Sequence, residues 1–142
     1  MPNLNLKARK TLKRTKLYCT EHRAAILKVL SKANRPLSQN QIARRLRKTG
    51  IDKVTIYRTL QSFCRTGLVH KAYIHKRAWH FELAHNCTET QCHPHFTCTN
   101  CGQTSCLTGI SPPMTKSPRK GLVIKHQRIQ LEGLCLKCNP KL

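Results

Sequence analysis

Nine cysteines and eight histidines are the residues of this 142-residue chain best equipped for chemistry. Their spacing says what most of them are for. Cys98-Thr99-Asn100-Cys101 and Cys135-Leu136-Lys137-Cys138 form two Cys-x-x-Cys pairs. Four thiolates at that paired spacing can close a tetrahedron around one zinc ion, although the interval between the pairs is longer than in a usual zinc ribbon. Just upstream stand His93 and His95, a His-x-His beside a structural knuckle, where a second, exchangeable metal can be held. Such a site would make the protein a sensor. Imidazole and thiolate ligands favour zinc there, whereas manganese prefers oxygen ligands and the chain has few carboxylates. Iron(II) stays open if Glu82 is a ligand. The leftover thiols are Cys19, Cys64, Cys87, Cys92 and Cys106, and His75, His80 and His85 are expected as surface or wing residues.

Charge names the partner class. Lys and Arg number 27 against five acidic residues, a formal net charge of +22. So large an excess, spread along the whole chain, goes beyond what solubility needs and points to a polyanion, double-stranded DNA before an anionic membrane surface. No stretch approaches the ~20 apolar residues of a membrane span, and the basic start has no apolar run of a secretory signal behind it. A cytoplasmic protein with reduced, metal-ligating cysteines is expected, with no membrane and no small organic substrate as partner. His80-Phe81-Glu82 followed by Cys98-x-x-Cys101 loosely mimics a zinc deaminase. Thr97 stands where that signature needs proline, and four cysteines would leave the zinc without an open position, so no enzyme is expected.

The elements that position these residues can be read in chain order. Residues 1 to about 17 form a basic arm, helical around Leu6 to Leu17. Thr20 caps a second helix whose apolar residues run from Ala24 to Leu30, ending before Asn34-Arg35-Pro36. Ser38-Gln39-Asn40-Gln41 is a capping box opening a third helix, which Gly50 stops. Asp52 caps a fourth, Lys53 to about Thr66, with Val54, Ile56, Leu60 and Phe63 as an inward stripe. Thr55, Tyr57, Arg58 and Gln61 fall outside that stripe, offering groups suited to phosphates and base edges, as a helix-turn-helix recognition helix would. Leu68–Ile74 and Ala78–Leu83, around His75-Lys76-Arg77, read as a hairpin, so the whole makes a winged helix with a basic tip. Ala84 to Gln91 is a polar linker. His95–Cys98 and Gln103–Leu107 are short strands, Pro112, Pro113 and Pro118 leave any helix between Gly109 and Gly121 short or absent, and Leu122–Leu131 is the longest strand candidate. The expected domains are a winged-helix domain with its arm at 1–83, a hinge at 84–92 and a metal-binding domain at 93–142. Its few β-elements bury little core, so zinc must hold the last domain together.

From Leu17 to Cys138 these residues resemble the ferric uptake regulator superfamily of bacterial metal-dependent repressors. The resemblance is carried by Arg23-Ala24-Ala25-Ile26-Leu27, Val54-Thr55-Ile56-Tyr57-Arg58-Thr59-Leu60, Gly67-Leu68-Val69, Phe81-Glu82-Leu83, His93-x-His95-x-x-Cys98-x-x-Cys101-Gly102 and Gly133-Leu134-Cys135-x-x-Cys138. It implies an α+β chain, an N-terminal winged helix-turn-helix with a small C-terminal α/β dimerisation lobe, acting as a homodimer on palindromic operators. Tyr57 and Arg58 would contact DNA, with Thr55 and Arg23 nearby. The regulatory metal would be held at the hinge by His70, Glu82, His93 and His95. In a zinc-sensing branch, the closest in ligand pattern, a cysteine at the spacing of Cys87 replaces the wing-end ligand, so Glu82 and Cys87 compete. Pro36 stands where iron-type members often have a histidine. Cys92, Pro94 and Gln127 replace residues of a further metal site, which is therefore expected to be missing. The expected function is metal-responsive, zinc-dependent transcriptional repression. The alternatives are an iron-responsive or a thiol- or peroxide-responsive regulator of the same family, or a winged-helix protein with structural zinc only.

Overall fold

The computed structural model describes residues 2–84 and 91–141, and the chain divides into two units, Met1–Ala84 and His85–Leu142. Cys87 and most of the expected hinge lie outside the described residues.

In the first unit the basic arm is a packed helix, α1 (Pro2–Arg14), four residues earlier at its start than expected. Helical periodicity places Ala8 and Leu12 together in the core while Lys7, Arg9, Lys10 and Lys13 stay exposed. The helix is closed by a left-handed Lys16 (φ 59°), with Leu17 N donating to Leu12 O at 3.0 Å and Lys16 N to Lys13 O at 3.1 Å. Helix α2 (Glu21–Lys32) starts where Thr20 Oγ1 accepts from Arg23 N at 3.2 Å, and it buries Ile26, Leu27 and Leu30. After β1 (Leu37–Ser38), helix α3 (Gln39–Arg45) opens on the expected reciprocal cap: Gln41 N donates to Ser38 Oγ at 3.2 Å and Ser38 N to Gln41 Oε1 at 2.9 Å. A 3-10 turn (Arg47–Thr49) and a left-handed Gly50 (φ 74°) then reverse the chain into α4 (Lys53–Arg65).

Helix α4 inserts Ile56, Thr59, Leu60 and Phe63 into the core. Val54 does not join them and is 56% exposed, a correction to the expected stripe. Each residue advances about 100° around a helix, so Val54 lies roughly half a turn from Ile56 and shares a face with Tyr57, Arg58 and Gln61. Thr59 takes the inward place.

Strands β2 (Val69–His75) and β3 (Ala78–Leu83) form the wing, antiparallel with an irregularity between Lys71 and Tyr73, and β1 adds to the far edge of β3. The two-residue turn between them, Lys76-Arg77, has φ of 47° and 63°. Two left-handed residues give the turn whose twist suits a hairpin, but asparagine and glycine take those angles most easily, and other residues adopt them at a cost. His80 is buried, not at the surface. Its ring stacks on Tyr73 with centroids 4.8 Å apart, and its Nδ1–H donates to Ala78 O at 3.1 Å. Burial holds its pKa below the usual 6.5, and the positive neighbours His75 and Arg35 act in the same direction.

The second unit is a three-stranded sheet in the order β5-β4-β6. Central β4 (His95–Cys98) pairs antiparallel with β5 (Thr104–Cys106) and parallel with β6 (Gln130–Gly133). The expected strand over Leu122–Leu131 is reduced to its end, with one isolated bridge at Gln127 to Gln91. Only β4 offers that run an edge, and β4 is four residues long; Leu122 and Val123 are 50% and 77% exposed. Side-chain amides hold this region instead: Thr115 N donates to Gln127 Oε1 at 2.9 Å, Gln127 Nε2 to Pro113 O at 3.2 Å, and Gln91 Nε2 to Pro112 O at 2.6 Å. No helix occurs among the described residues of this unit, as the three prolines lead one to expect. The chain is α+β as a whole, with every described helix in the first unit.

Two outcomes test this packing. Arg77→Gly relieves a left-handed side chain and is expected to stabilise the first unit by about 0.5 kcal/mol, the relief being partly offset by the freer unfolded chain; an unchanged or lower denaturant midpoint would contradict it. Because folding lowers the His80 pKa, the folded unit binds that proton less readily than the unfolded chain does. The stability from neutral His80 is full above pH 6.5 and declines as pH falls through that value. His80→Gln should flatten the stability profile between about pH 7 and 5, and parallel profiles for the two proteins would dismiss the effect.

Candidate functional site

Four thiols meet at one end of the second sheet. Strand β4 ends on Cys98, and a tight turn through left-handed Gly102 (φ 73°) returns Cys101, with Gly102 N donating to Cys98 O and Cys98 N to Gln103 O, both at 2.9 Å. The parallel register sets Gly133 beside Cys98, which delivers Cys135 and, one turn on, Cys138. The four Sγ atoms lie within 4.8 Å of one another, and those of Cys101 and Cys135 are 3.8 Å apart. Zinc–sulfur bonds of about 2.3 Å in a tetrahedron put sulfurs about 3.8 Å apart, so the residues fit a closed zinc site. Amide donors already face the sulfurs: Cys135 N to Cys98 at 3.4 Å and Asn100 Nδ2 to Cys138 at 3.3 Å.

The thiols titrate unequally. The backbone amides of Cys101 and Cys135 draw the Cys98 pKa down to about 6. At Cys101 the largest influence, the Gln103 amide, also favours the thiolate, yet the neighbouring sulfurs Cys98, Cys135 and Cys138 and burial together push it up to about 11. One sulfur ionises readily and the crowded set resists further negative charge, an imbalance a divalent cation resolves. All four positions belong to cysteines, which leaves no vacancy for a catalytic water of the deaminase kind.

A second set lies at the other end of β4. His93, His95 and Cys106 bring two imidazole nitrogens and a thiol within 4.8 Å of one another. The His93 and His95 rings are 4.6 Å apart between centroids, and His95 is fully buried. His95 opens β4 and pairs directly with Cys106 on β5, so sheet register places the thiol. Ligand atoms around a tetrahedral zinc are about 3.3–3.8 Å apart, within easy adjustment of this spread. The sequence reading left Cys106 among the spare thiols. The signal that would have found it is the antiparallel return through Gly102, which brings residues after the turn back alongside His95. Cys92, also buried, has its Sγ 3.8 Å from His126 Nε2.

In the first unit the wing carries the other two expected metal ligands. His70 and Glu82 are cross-strand partners, with Nε2 and Oε1 2.8 Å apart and both side chains mostly buried. Cys87, the competitor of Glu82, lies outside the described residues.

The residues expected to touch DNA are not equally presented. Tyr57, 51% exposed, and Arg58 project from α4, with Val54 on the same face and Gln61 half-buried. The Thr55 hydroxyl donates to Asp52 Oδ2 at 2.7 Å and its amide to Oδ1 at 2.9 Å, which lowers the Asp52 pKa and makes Thr55 part of the cap. Arg23 Nη1 donates to Tyr18 O at 2.9 Å, fixing the approach to α2. Gln39 Nε2 donates to Lys53 O at 2.9 Å and ties α3 to the start of α4.

Comparison with known proteins agrees with this assembly. The family model described as "Ferric uptake regulator family" matches residues 14–131. A ferric uptake regulation protein of Staphylococcus epidermidis is 29% identical over 134 residues, covering 93% of this chain and 94% of that protein. Among solved structures, a zinc uptake regulator complexed with zinc and DNA superposes with a TM-score of 0.65 at 22% identity, covering 96% of this chain and 93% of the other. The ferric uptake regulator of Vibrio cholerae gives 0.63 at 23% identity, covering 89% and 98%. The two structures establish likeness of fold, while the family model spans most of the chain. The chain belongs to the ferric uptake regulator family, whose members are transcription regulators and not enzymes.

Proposed function

We propose that this protein is a zinc-responsive repressor that binds palindromic operators in the cytoplasm as a homodimer. The single observation that carries the reading is the convergence of His93, His95 and Cys106 beside a closed four-cysteine site. A site of two imidazoles and a thiol selects zinc over hard cations. The fourth ligand is assigned to the wing, to Glu82, with His70 as its partner or co-ligand. Cys98, Cys101, Cys135 and Cys138 keep a structural zinc that is not exchanged during sensing. DNA contact falls to Tyr57, Arg58 and Gln61, with Arg23 and Thr55 orienting α2 and α4. Pairing of two chains is supported by the aliphatic surface of the second unit, where Leu122, Val123, Leu131, Leu134 and Leu136 are 43–82% exposed.

Metal does not create the DNA contacts. It binds one arrangement of the protein better than others and shifts the population toward it, so the response is bounded by that difference in affinity.

Titrating duplex binding against free zinc, iron(II) and manganese(II) at fixed salt tests the reading. Zinc should act at the lowest concentration, and His93→Ala, Cys106→Ser and Glu82→Ala should each raise the zinc needed by at least about tenfold, the scale of losing even a supporting contact at a metal site. Affinity indifferent to all metals and substitutions would sink the sensor; preferential action of iron(II), or loss of binding on peroxide treatment alone, would return the function to those alternatives. Removal of the structural zinc is a separate matter. Strong chelation or Cys135→Ser should unfold the second unit, given the ~10 kcal/mol such sites contribute, while helical circular dichroism from the first unit persists. Retention of protected amides in β4 after zinc loss would argue against this.

A further inference from the structure

A groove of about 330 Å³ opens in the first unit between α4, the start of α3 and the wing. Tyr57 and Gln61 line one wall, Asn40 the end, and Lys71, Arg77 and Trp79 the wing side. No carboxylate lines it. Lys71 Nζ lies 5.3 Å from the centre of the Trp79 ring, so a cation is held over an aromatic face at the groove's edge. Arg77 occupies a left-handed turn position that glycine or asparagine would adopt more easily, and the chain keeps a guanidinium there. Backbone strain concentrated on a basic side chain is a mark of a contact site.

The composition of the groove matches one kind of ligand. Ammonium, guanidinium and amide groups bind phosphate oxygens, and an indole and a phenol pack against sugar faces. Its position matches too. With α4 in the major groove of a duplex, one phosphodiester strand runs along the seam between that helix and the wing. The cleft is open and elongated between two elements, which suits a continuous strand better than a closed small molecule.

Resting on the DNA-binding reading of α4, we infer that this groove seats the sugar-phosphate backbone of one DNA strand, with Lys71 and Arg77 on phosphate oxygens and Trp79 and Tyr57 against deoxyribose. Asn40, Lys71, Arg77 and Trp79 thereby become DNA-contacting residues in addition to the exposed face of α4. They set register and affinity and read no base edge.

Trp79 is the sole tryptophan, so its emission reports on the groove. Full-length, zinc-loaded protein is titrated with a mixed-sequence DNA duplex at several salt concentrations, for the wild type and for Lys71→Ala, Arg77→Asn and Arg58→Ala. Asparagine suits the left-handed turn, so Arg77→Asn removes charge without disturbing the hairpin. Saturating duplex should quench Trp79. Lys71→Ala and Arg77→Asn should each lower the slope of log affinity against log salt by about 0.9, one phosphate contact apiece, and weaken binding to all sequences alike. If the duplex binds, Arg58→Ala weakens it, yet emission and both slopes stay unchanged, the groove assignment falls while the reading of α4 stands. If no duplex binds at low salt, both fall. Quenching by a mononucleotide but not by the duplex would make the groove a small-ligand pocket and overturn the inference.

Discussion

The second unit lacks a hydrophobic interior, and much of the structure follows from that. Its buried described residues are Cys92, Pro94, His95, Thr97 and Cys98, whereas the apolar cluster of the protein is drawn wholly from the first unit, from Ala8 to Leu83. A sheet of three short strands cannot offset the ordering of about fifty residues by burying thiols and imidazoles. Unligated, those groups also oppose burial, since crowded thiols disfavour a second negative charge. A metal ion reverses both effects at once, replacing the missing core with coordinate bonds and neutralising the sulfurs that ionise. The unit is in this sense folded around its ligands.

The first unit is built the opposite way. Each helix start has its own local solution, Thr20 for α2, the Ser38–Gln41 box for α3 and Asp52 for α4, and each helix turns an apolar stripe to a shared interior. Loss of one such cap costs about 1 kcal/mol, small against the burial of Phe63, Leu60, Ile56 and Leu12 together. Because this unit stands on burial, its outward face is free to be basic and aromatic. The one place where it stores strain, Lys76-Arg77, is at the wing tip, away from the core. Structural economy and DNA contact thus occupy different faces of the same helices.

What the sequence made legible was whatever depends on near neighbours. The capping residues, the stop at Gly50, the paired cysteines and the hairpin are interactions between residues a few positions apart, and each appears where expected. What escaped reading depends on three-dimensional register. Val54 was assigned inward because it is apolar, although its angle around α4 sends it out. Cys106 was set aside as a spare thiol until β5 paired it with His95. Leu122–Leu131 has strand composition, but a strand needs an edge, and β4 supplies only four residues of one. His80 looked like a surface histidine by type; alternation along β3 and the stack with Tyr73 bury it. The choice between Glu82 and Cys87 was never a matter of local pattern, since each is a plausible ligand by chemistry alone.

The scarcity of carboxylates ties charge to metal choice. Of the five acidic residues, Glu21 favours the first turn of α2, Asp52 caps α4, and Glu82 faces His70 in the wing. Glu132 is exposed on β6, and Glu89 lies outside the described residues. A chain so biased toward DNA has almost no oxygen ligands to spare. Calcium, magnesium or manganese would need several carboxylates converging on one point, and the described residues of the second unit offer only Glu132. Ligands compatible with a strongly positive field are the neutral imidazole and the thiolate, the latter stabilised by that field. The pressure to bind a polyanion and the softness of the His93–His95–Cys106 set are therefore two consequences of one composition. A basic DNA-binding protein that must also hold a metal is driven toward histidine and cysteine, and through them toward zinc.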